Sequence, residues 1–187
     1  MTIYPTGPTG GREPGFTLVE LMVTLAVFAI IAMMAVPALT QLIDQRRLTG
    51  AAEAIHAQIL FARAEAIKRS RPVFVEIEDG GGSAWRTSVT QNAGAADLDY
   101  AVDSVAFRNR VSLAATSEDI FGFDPVRGMK IAADGSPLNA PTQLSISLDQ
   151  NRMLLVQVNP IGRVRICTEA GNLRYSDCPL IITEPEE

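Results

Sequence analysis

Residues 11–43 read GREPGFTLVELMVTLAVFAIIAMMAVPALTQLI, in which Glu20 is the last charged residue before a long apolar run. The segment Leu21–Leu39 contains no charged residue. About 20 apolar residues at 1.5 Å per residue match the roughly 30 Å hydrocarbon core of a bilayer. No small-residue cleavage site follows the run, which distinguishes it from a conventional secretory signal. The stretch therefore predicts a helix that spans a membrane and remains on the mature protein.

Two residues inside this stretch carry further information. A carboxylate in the hydrocarbon region is costly unless it is paired, so Glu20 indicates a function. Either Glu20 pairs with a positive group, or it lies solvated at the headgroup boundary. Pro37 has no backbone N–H to donate, and its ring clashes with the carbonyl of Met33. We therefore expect a kink in the helix at Pro37.

The string Gly15-Phe16-Thr17-Leu18-Val19-Glu20 with the apolar run behind it resembles the processing site of type IV pilins and of the pseudopilins of type II secretion. The resemblance implies that a prepilin peptidase removes residues 1–15 as a leader peptide and methylates the new N-terminus, Phe16. It implies that Glu20 pairs with the N-terminal amine of a neighbouring subunit during filament assembly. It also implies a single pass through the bacterial inner membrane, a periplasmic head, and assembly into a pilus or pseudopilus.

Residues 44–70 predict an amphipathic second half of the same helix, after the membrane segment at residues 16–43. Its apolar residues recur at steps of three and four on one face: Ile55, Ile59, Ala62 and Ala66. Polar residues occupy the other face, among them the only histidine of the chain, His56. Pro72 ends the helix, because proline disfavours helical backbone at the residue before it.

From residue 71 the hydrophobic pattern changes to the period of two that is typical of strands. Turns are predicted at Asp79–Ser83 and Asp134–Pro137. The predicted strands are Val73–Ile77, Trp85–Thr90, Val105–Phe107, Val111–Ala114, Met129–Ala132, Leu144–Leu148, Met153–Val158 and Arg163–Cys167. The order indicates an α+β fold, in which one long N-terminal helix packs on an antiparallel β-sheet head at residues 71–187. The sequence ARAEAIKRSRPVFVEI, residues 62–77, resembles the GspH/FimT branch of the pilin-like families, which implies a pilin-like fold.

The chain contains two cysteines, Cys167 and Cys178. An even number at close spacing suits one disulfide in an oxidising compartment. In the chain-entropy model such a loop stabilises the fold by roughly 3 kcal/mol. The alternative is a pair of unlinked, buried thiols. Two cysteines and one histidine supply too few ligands for a typical zinc site, so we expect neither a metal nor another cofactor.

Near the C-terminus, Asn159-Pro160-Ile161-Gly162 predicts a turn, and the strands on either side of it predict a hairpin. On the second strand Arg163 and Arg165 share one face, because side chains alternate along a strand. Two residues at about 3.3 Å each separate them by about 6.6 Å. DNA has one phosphate per about 3.4 Å along each strand, so both guanidiniums suit neighbouring phosphates. Arg174 and Arg152 are candidates to extend this patch.

The motif Gly162-Arg163-Val164-Arg165 resembles the GRxR motif of FimT-type minor pilins, some of which bind DNA during natural transformation. The resemblance implies a patch of Gly162, Arg163, Arg165 and Arg174 that contacts the phosphate backbone without sequence preference. The alternative is an exposed strand whose arginines only maintain solubility. The formal net charge of −5 argues against a strongly basic nucleic-acid binder at the level of the whole chain.

Three classes of function compete. The first is a minor pilin or pseudopilin that assembles with other pilin subunits into a type IV pilus and binds DNA through the arginine patch. The alternative is pseudopilin H of type II secretion, which acts in assembly of the pseudopilus tip and in protein secretion without binding DNA. A membrane-anchored enzyme is the third, but the sequence contains no GxSxG motif and no phosphate-binding glycine loop before a helix. We therefore predict a substrate of the prepilin peptidase that is not itself an enzyme.

Overall fold

The computed structural model describes residues 15–78, 82–91, 98–115, 118–168 and 175–178. The chain forms two compact units, Met1–Gln41 and Leu42–Glu187. The first element, α1 (Leu18–Arg69), contributes residues to both units. The expectation of one long N-terminal helix is confirmed, and its observed ends lie within the expected residues 16–70.

In the first unit, α1 begins directly after a threonine that caps it. The backbone N–H of Glu20 donates to the hydroxyl oxygen of Thr17 at 3.2 Å, as in a Thr-x-x-Glu capping sequence. The helix continues through Pro37, whose carbonyl accepts a hydrogen bond from the hydroxyl of Thr40 at 2.9 Å. The kink expected at Pro37 stays a prediction. By length and composition α1 is long and apolar enough to cross a membrane.

In the second unit, α1 buries one face and exposes the other. The buried apolar side chains are those of Leu48, Ala51, Ala52, Ile55, Ile59, Ala62 and Ala66. The helix is followed by Ser70 in the left-handed region (φ 53°), where the N–H of Arg71 donates to the carbonyl of Ala66 at 3.3 Å. This hydrogen bond satisfies a carbonyl of the last turn. The predicted amphipathic face is therefore confirmed, and Pro72 follows the end of the helix as expected.

Strands β1 to β9 follow α1 in the described part of the chain. They are β1 (Val73–Glu78), β2 (Arg86–Thr90), β3 (Leu98–Asp103), β4 (Ser112–Ala115), β5 (Ile120–Phe123), β6 (Lys130–Ile131), β7 (Thr142–Asp149), β8 (Arg152–Val158) and β9 (Val164–Cys167). They form two antiparallel sheets, one in the order β3-β2-β1-β5-β6 and one in the order β4-β7-β8-β9. The predicted α+β class is confirmed, with two sheets in the head.

One hydrophobic core joins the buried face of α1 to both sheets. From the first sheet it receives alternate residues of β1, such as Val75, which pairs with Phe121 of β5. From the second sheet it receives Val156 of β8, which pairs with the half-buried Ile166 of β9. The buried side chain of Gln58 fixes α1 to the first sheet, because its Nε2 donates to the carbonyl of Thr87 at 2.9 Å.

Some segments differ from the sequence-based expectation. Val105–Phe107, expected as a strand, belongs to a 3-10 helix (Ser104–Phe107), and Arg108 after it adopts left-handed backbone (φ 57°) that turns the chain. Strands β3 and β5 were not expected. Gly122 in the middle of β5 disfavours a strand by propensity, but the ring of Phe74 lies where a side chain on Gly122 would be. The turn expected at Asp79–Ser83 lies mostly outside the described residues.

Candidate functional site

The residues expected at the processing site lie in an exposed position. Gly15 and Phe16 precede α1, and the side chain of Phe16 is 86% exposed. Among the described residues, no atom lies within 4 Å of the position that a Cβ on Gly15 would occupy. The described residues therefore leave the peptide bond between Gly15 and Phe16 uncovered. Residues 1–14, the rest of the expected leader, lie outside the described residues.

Glu20 is exposed in the first turn of α1, close to the residue that would become the N-terminus. The positive end of the helix dipole favours a carboxylate at this position. Sequence reasoning missed the role of Thr17, which caps the helix and so orders the turn that carries Glu20. The Thr-x-x-Glu spacing was the signal that could have identified it.

The arginine motif lies where the turn between β8 and β9 ends. The N–H of Gly162 donates to the carbonyl of Asn159 at 2.8 Å, and the N–H of Asn159 donates to the carbonyl of Arg163 at 2.9 Å. Gly162 has φ +75°, a backbone conformation that residues other than glycine rarely adopt. The hairpin predicted from the sequence is therefore confirmed.

This turn packs against a second turn, Asp124–Gly128, and against α1. A Cβ on Gly162 would lie 2.0 Å from the carbonyl oxygen of Gly128, so only glycine allows this approach. The same carbonyl accepts a hydrogen bond from Nε of Arg63 at 3.1 Å. The N–H of Lys130 donates to the carbonyl of Pro160 at 2.8 Å. The glycine of the motif therefore has a packing role that its resemblance to a DNA-binding motif did not reveal.

The side chain of Lys130, which lies beside these two turns, is buried between β6 of the first sheet and β7 of the second. Its Nζ donates to the carbonyl of Ala140 at 2.5 Å and to the hydroxyl of Thr142 at 2.6 Å. Burial lowers the pKa of Lys130, and the nearby carboxylate of Glu118 opposes that shift. Lys130 is therefore part of the structure of the head, and its charge is not available to a ligand at the surface.

The two arginines of the motif differ in exposure. Arg163 is exposed, whereas Arg165 in β9 is half-buried opposite Gln157 of β8. Within the described residues, Nε of Arg165 is buried without a hydrogen-bond partner. Val164 and Ile166 pack against the core, as the alternation predicted. Arg163 is thus the more accessible guanidinium of the pair.

Arg152, which was proposed to extend the patch, lies away from it. Arg152 pairs with Asp149 at the opposite end of β8, where its guanidinium binds the carboxylate at 2.7 and 2.9 Å. This hydrogen bond lowers the pKa of Asp149. The suggestion that Arg152 extends the patch was therefore wrong. Arg174 lies outside the described residues. The exposed Arg127, which sequence reasoning did not single out, lies on the turn that packs against Gly162.

A disulfide joins Cys167 at the end of β9 to Cys178. Backbone hydrogen bonds reinforce the link. The N–H of Cys178 donates to the carbonyl of Thr168 at 3.0 Å, and the N–H of Thr168 donates to the carbonyl of Ser176 at 3.1 Å. The predicted disulfide is confirmed, and the alternative of two unlinked thiols is excluded. Among the described residues no cluster of three or more His, Cys, Asp or Glu side chains could hold a metal ion.

Two family models match the chain. Residues 51–162, more than half of the 187 residues, match the type II transport protein GspH. The chain belongs to the GspH family. Residues 11–36 match the prokaryotic N-terminal methylation motif. Members of the GspH family are minor pilins or pseudopilins of type IV pili or type II secretion, structural subunits that assemble with other pilin subunits after processing by the prepilin peptidase.

Two solved structures of a minor pilin share the fold of this chain. Two crystal structures of the type IV minor pilin FimU of Pseudomonas aeruginosa match with TM-scores of 0.51 and 0.54 and identities of 14% and 16%. They cover 68% and 70% of this chain and 98% and 95% of their own. The minor pseudopilin EpsH of Vibrio cholerae matches with a TM-score of 0.44 at 15% identity, over 65% of this chain and 97% of its own. No sequence among curated proteins matches the chain.

Proposed function

We propose that this member of the GspH family is a minor pilin of a type IV pilus, processed between Gly15 and Phe16. Residues 1–15 are the leader, and the amine of Phe16 is methylated. Residues 16–43 lie in the bacterial inner membrane before assembly, and residues 71–187 form a periplasmic head. The observation that carries the proposal is the match of residues 11–36 to the methylation motif at the start of an exposed apolar helix.

Replacement of the glycine at the cleavage site tests the processing step. Gly15→Leu should leave a precursor that retains residues 1–15 and carries no added methyl group. Gly7→Leu, in the leader but away from the cleaved bond, is the matched control and should be processed normally. Intact-mass spectrometry of the membrane fraction separates the two forms. Normal processing of Gly15→Leu would contradict the assignment of the cleavage site.

Glu20 supplies the assembly contact in this proposal. The carboxylate lies one helical turn after Phe16, so the N-terminal amine of a neighbouring subunit can approach it as the helix leaves the bilayer. Pairing would neutralise both charges, and would offset the cost of removing them from water. Pro37 adds the local bend that the filament requires. The exposure of Glu20 in the isolated chain leaves its carboxylate available for such a partner.

A finer part of the proposal is that the head binds DNA through Arg163, assisted by Arg165 and Arg174. Support comes from the position of Arg163, exposed beside a turn that Gly162 holds rigidly against Gly128. Arginine is suited to phosphate because its planar fork donates to two oxygens and stays charged. Contacts to two phosphates predict a slope of about −1.8 in log K against log salt concentration. Affinity should therefore fall about tenfold between roughly 50 and 200 mM salt.

The test is a titration of the full-length protein in detergent with a short duplex at these two salt concentrations. Salt-sensitive binding that is lost in Arg163→Ala/Arg165→Ala supports the DNA-binding pilin. Arg152→Ala is the matched control, since Arg152 lies at the other end of β8 and binds Asp149. Equal binding by wild type and the double variant would leave Arg163 and Arg165 as solubilising surface charge.

The second candidate function is pseudopilin H of type II secretion, without DNA binding. The match of residues 51–162 to the type II transport protein GspH favours it. The two candidates differ in phenotype. Deletion of the gene should abolish secretion of folded proteins in the second case, and pilus-dependent DNA uptake in the first. Complementation with Arg163→Ala/Arg165→Ala should restore secretion fully if the protein is the pseudopilin. The same variant should fail to restore DNA uptake if the protein is the DNA-binding pilin.

A further inference from the structure

Arginines from three parts of the chain meet where the head half of α1 begins. Asp44 of α1 forms an ion pair with Arg47 at 2.8 Å and with Arg110, which precedes β4, at 3.6 Å. The turn between β7 and β8 adds Arg152, whose pKa is raised by its hydrogen bond to Asp149 and also by the carboxylate of Asp44. These interactions place the three segments together at one end of the head.

Two further arginines lie at this end and have no ion-pair partner within the described part of the chain. Arg46 is exposed in α1, and Arg108 is exposed directly after the 3-10 helix. The ring of Phe107 in that helix lies 3.6 Å from the position that a Cβ on Gly50 would occupy. Arg108 therefore lies between the contact at Gly50 and the contact at Asp44. Among the residues named so far, five arginines and two carboxylates leave three positive charges in excess.

An exposed apolar side chain accompanies these charges. Val105 of the 3-10 helix is 72% exposed, and its carbonyl accepts a hydrogen bond from the N–H of Arg108 at 3.0 Å. Asp103, which precedes this helix, pairs with Arg86 at 3.7 Å, so the two add no net charge. Basic and apolar side chains together are the combination that binds an anionic membrane surface. We name the exposed residues at this end the basal surface: Arg46, Val105, Arg108 and Arg110.

The position of the basal surface along the chain indicates what covers it. Leu42 and Ile43, the last residues of the proposed membrane segment, are exposed and directly precede Asp44. Gly50, where the 3-10 helix packs on α1, is seven residues beyond Ile43, which is about 10 Å at 1.5 Å per residue. The headgroup layer on each side of the hydrocarbon core is about 5–8 Å thick. The basal surface therefore lies at the level of the lipid headgroups.

We infer that the basal surface binds the anionic phospholipid headgroups of the membrane that anchors residues 16–43. The inference rests on the proposed anchoring of this segment. Arginine suits the ligand because its guanidinium stays charged and donates to two phosphate oxygens at once. DNA offers the same phosphate chemistry, but it would leave Val105 exposed to water and would compete with the bilayer for the same place. Lipid binding holds the head against the bilayer until the chain leaves the membrane.

Hydrogen–deuterium exchange of the full-length protein in lipid nanodiscs tests the inference. One preparation contains equal parts of phosphatidylglycerol and phosphatidylcholine, and the other contains phosphatidylcholine alone. The amides of residues 104–111 should exchange about threefold more slowly, or slower still, in the anionic nanodiscs. The amides of residues 124–129 are the internal control, because their turn packs near Arg63 at the other end of the head, and their exchange should not change.

Two variants that each remove two positive charges separate the basal surface from the net charge of the chain. Arg46→Gln/Arg108→Gln should abolish the slower exchange, because each arginine near an anionic surface strengthens the contact about fivefold. Arg71→Gln/Arg127→Gln is the matched control, since both residues are exposed and lie beyond the other end of α1 or on the turn beside Gly162. It should retain the slower exchange. An equal effect of the two variants would overturn the assignment.

Salt and DNA distinguish the possible contacts. The slower exchange should disappear in roughly 1 M salt, where the Debye length is about 3 Å. Slower exchange that persists in this salt would contradict a contact held by charge. Slower exchange of residues 104–111 on addition of a short DNA duplex to the phosphatidylcholine nanodiscs would assign the surface to DNA and overturn the lipid assignment.

Incorporation into the nanodiscs separates failure of this inference from failure of the proposed function. If the protein is incorporated and residues 104–111 exchange equally in both preparations, only the lipid assignment is wrong. If the protein is not incorporated into either preparation, the proposed membrane anchoring and the lipid assignment both fail.

Discussion

Gly162→Ala should destabilise the head of the protein substantially, although it adds only one methyl group. Alanine in the left-handed region costs about 1–2 kcal/mol relative to favourable backbone. The new Cβ would also lie 2.0 Å from the carbonyl oxygen of Gly128, which is backbone and cannot rotate away. The two turns must therefore separate, and this strains the hydrogen bonds from Lys130 to Pro160 and from Arg63 to Gly128.

Each of these hydrogen bonds contributes about 1 kcal/mol net. Together with the backbone cost, the expected loss is about 3 kcal/mol of unfolding free energy. In a domain of this size, each kcal/mol of lost unfolding free energy lowers Tm by about 3 °C. The expected decrease in Tm is therefore roughly 10 °C. Trp85, the only tryptophan, reports the transition well, because it is buried and its Nε1 donates to the carbonyl of Val111 at 2.8 Å.

Gly135→Ala is the matched control for the backbone term. Gly135 also has positive φ (+85°), but no atom of the described part of the chain lies within 4 Å of the position of its Cβ. Gly135→Ala should therefore lower the unfolding free energy by only about 1–2 kcal/mol. The difference between the two variants isolates the contact between the turns. If Gly162→Ala unfolds at the same temperature as Gly135→Ala, the close approach of Gly162 to Gly128 does not stabilise the head, and the reasoning is refuted.

Three further predictions concern assembly, redox state and pH. Glu20→Ala should remain in the membrane fraction but enter filaments at least tenfold less efficiently, because the amine of the neighbouring subunit loses its partner. Cys167→Ser/Cys178→Ser should lower the unfolding free energy by roughly 3 kcal/mol, because the unfolded chain is no longer constrained. The hydrogen bond from Arg69 lowers the pKa of Glu65 below its ordinary 4.5. The stability that Glu65 contributes is therefore present above that value and lost as the pH falls through its lowered pKa.

Each of these predictions has a direct measurement. Immunoblots of sheared filaments and membranes follow Glu20→Ala, and normal incorporation would remove the pairing role. Urea unfolding followed by the fluorescence of Trp85 measures the double cysteine variant, and an unchanged midpoint would contradict the contribution of the loop. For Glu65, the difference in Tm between wild type and Glu65→Gln should shrink from about pH 7 to about pH 3. A difference that stays constant over this range would show that the ion pair with Arg69 is not the cause.

The helix and the longer strands could be predicted from the sequence because their periodicity is local. The apolar steps of α1 and the alternation in β7 and β8 are each contained in a few consecutive residues. Strand β5 could not be predicted in this way, because Gly122 in its centre disfavours a strand unless another side chain covers it. The ring of Phe74, which supplies that cover, comes from β1. The same limit explains Val105–Phe107, whose apolar residues do not show that the chain turns after them.

The local sequence did not predict how the residues of the arginine motif differ in exposure and packing. Alternation correctly placed Val164 and Ile166 towards the core, but it treated Arg163 and Arg165 as equivalent. Their exposure differs because Arg165 lies against Gln157 of the neighbouring strand. The role of Gly162 likewise depends on Gly128, which belongs to a distant turn.

By itself the sequence determined that a long apolar helix follows a processing-type motif, with one carboxylate, Glu20, at its start, and that a strand-rich head follows the helix. Those properties are encoded in composition, short motifs and spacing along one segment, so no distant residue is needed to recognise them. Folding determined which guanidinium remains accessible, which glycine is required for packing, and which face of α1 is left uncovered. These properties depend on contacts between segments far apart in the chain, whose burial and steric limits arise only when the segments meet.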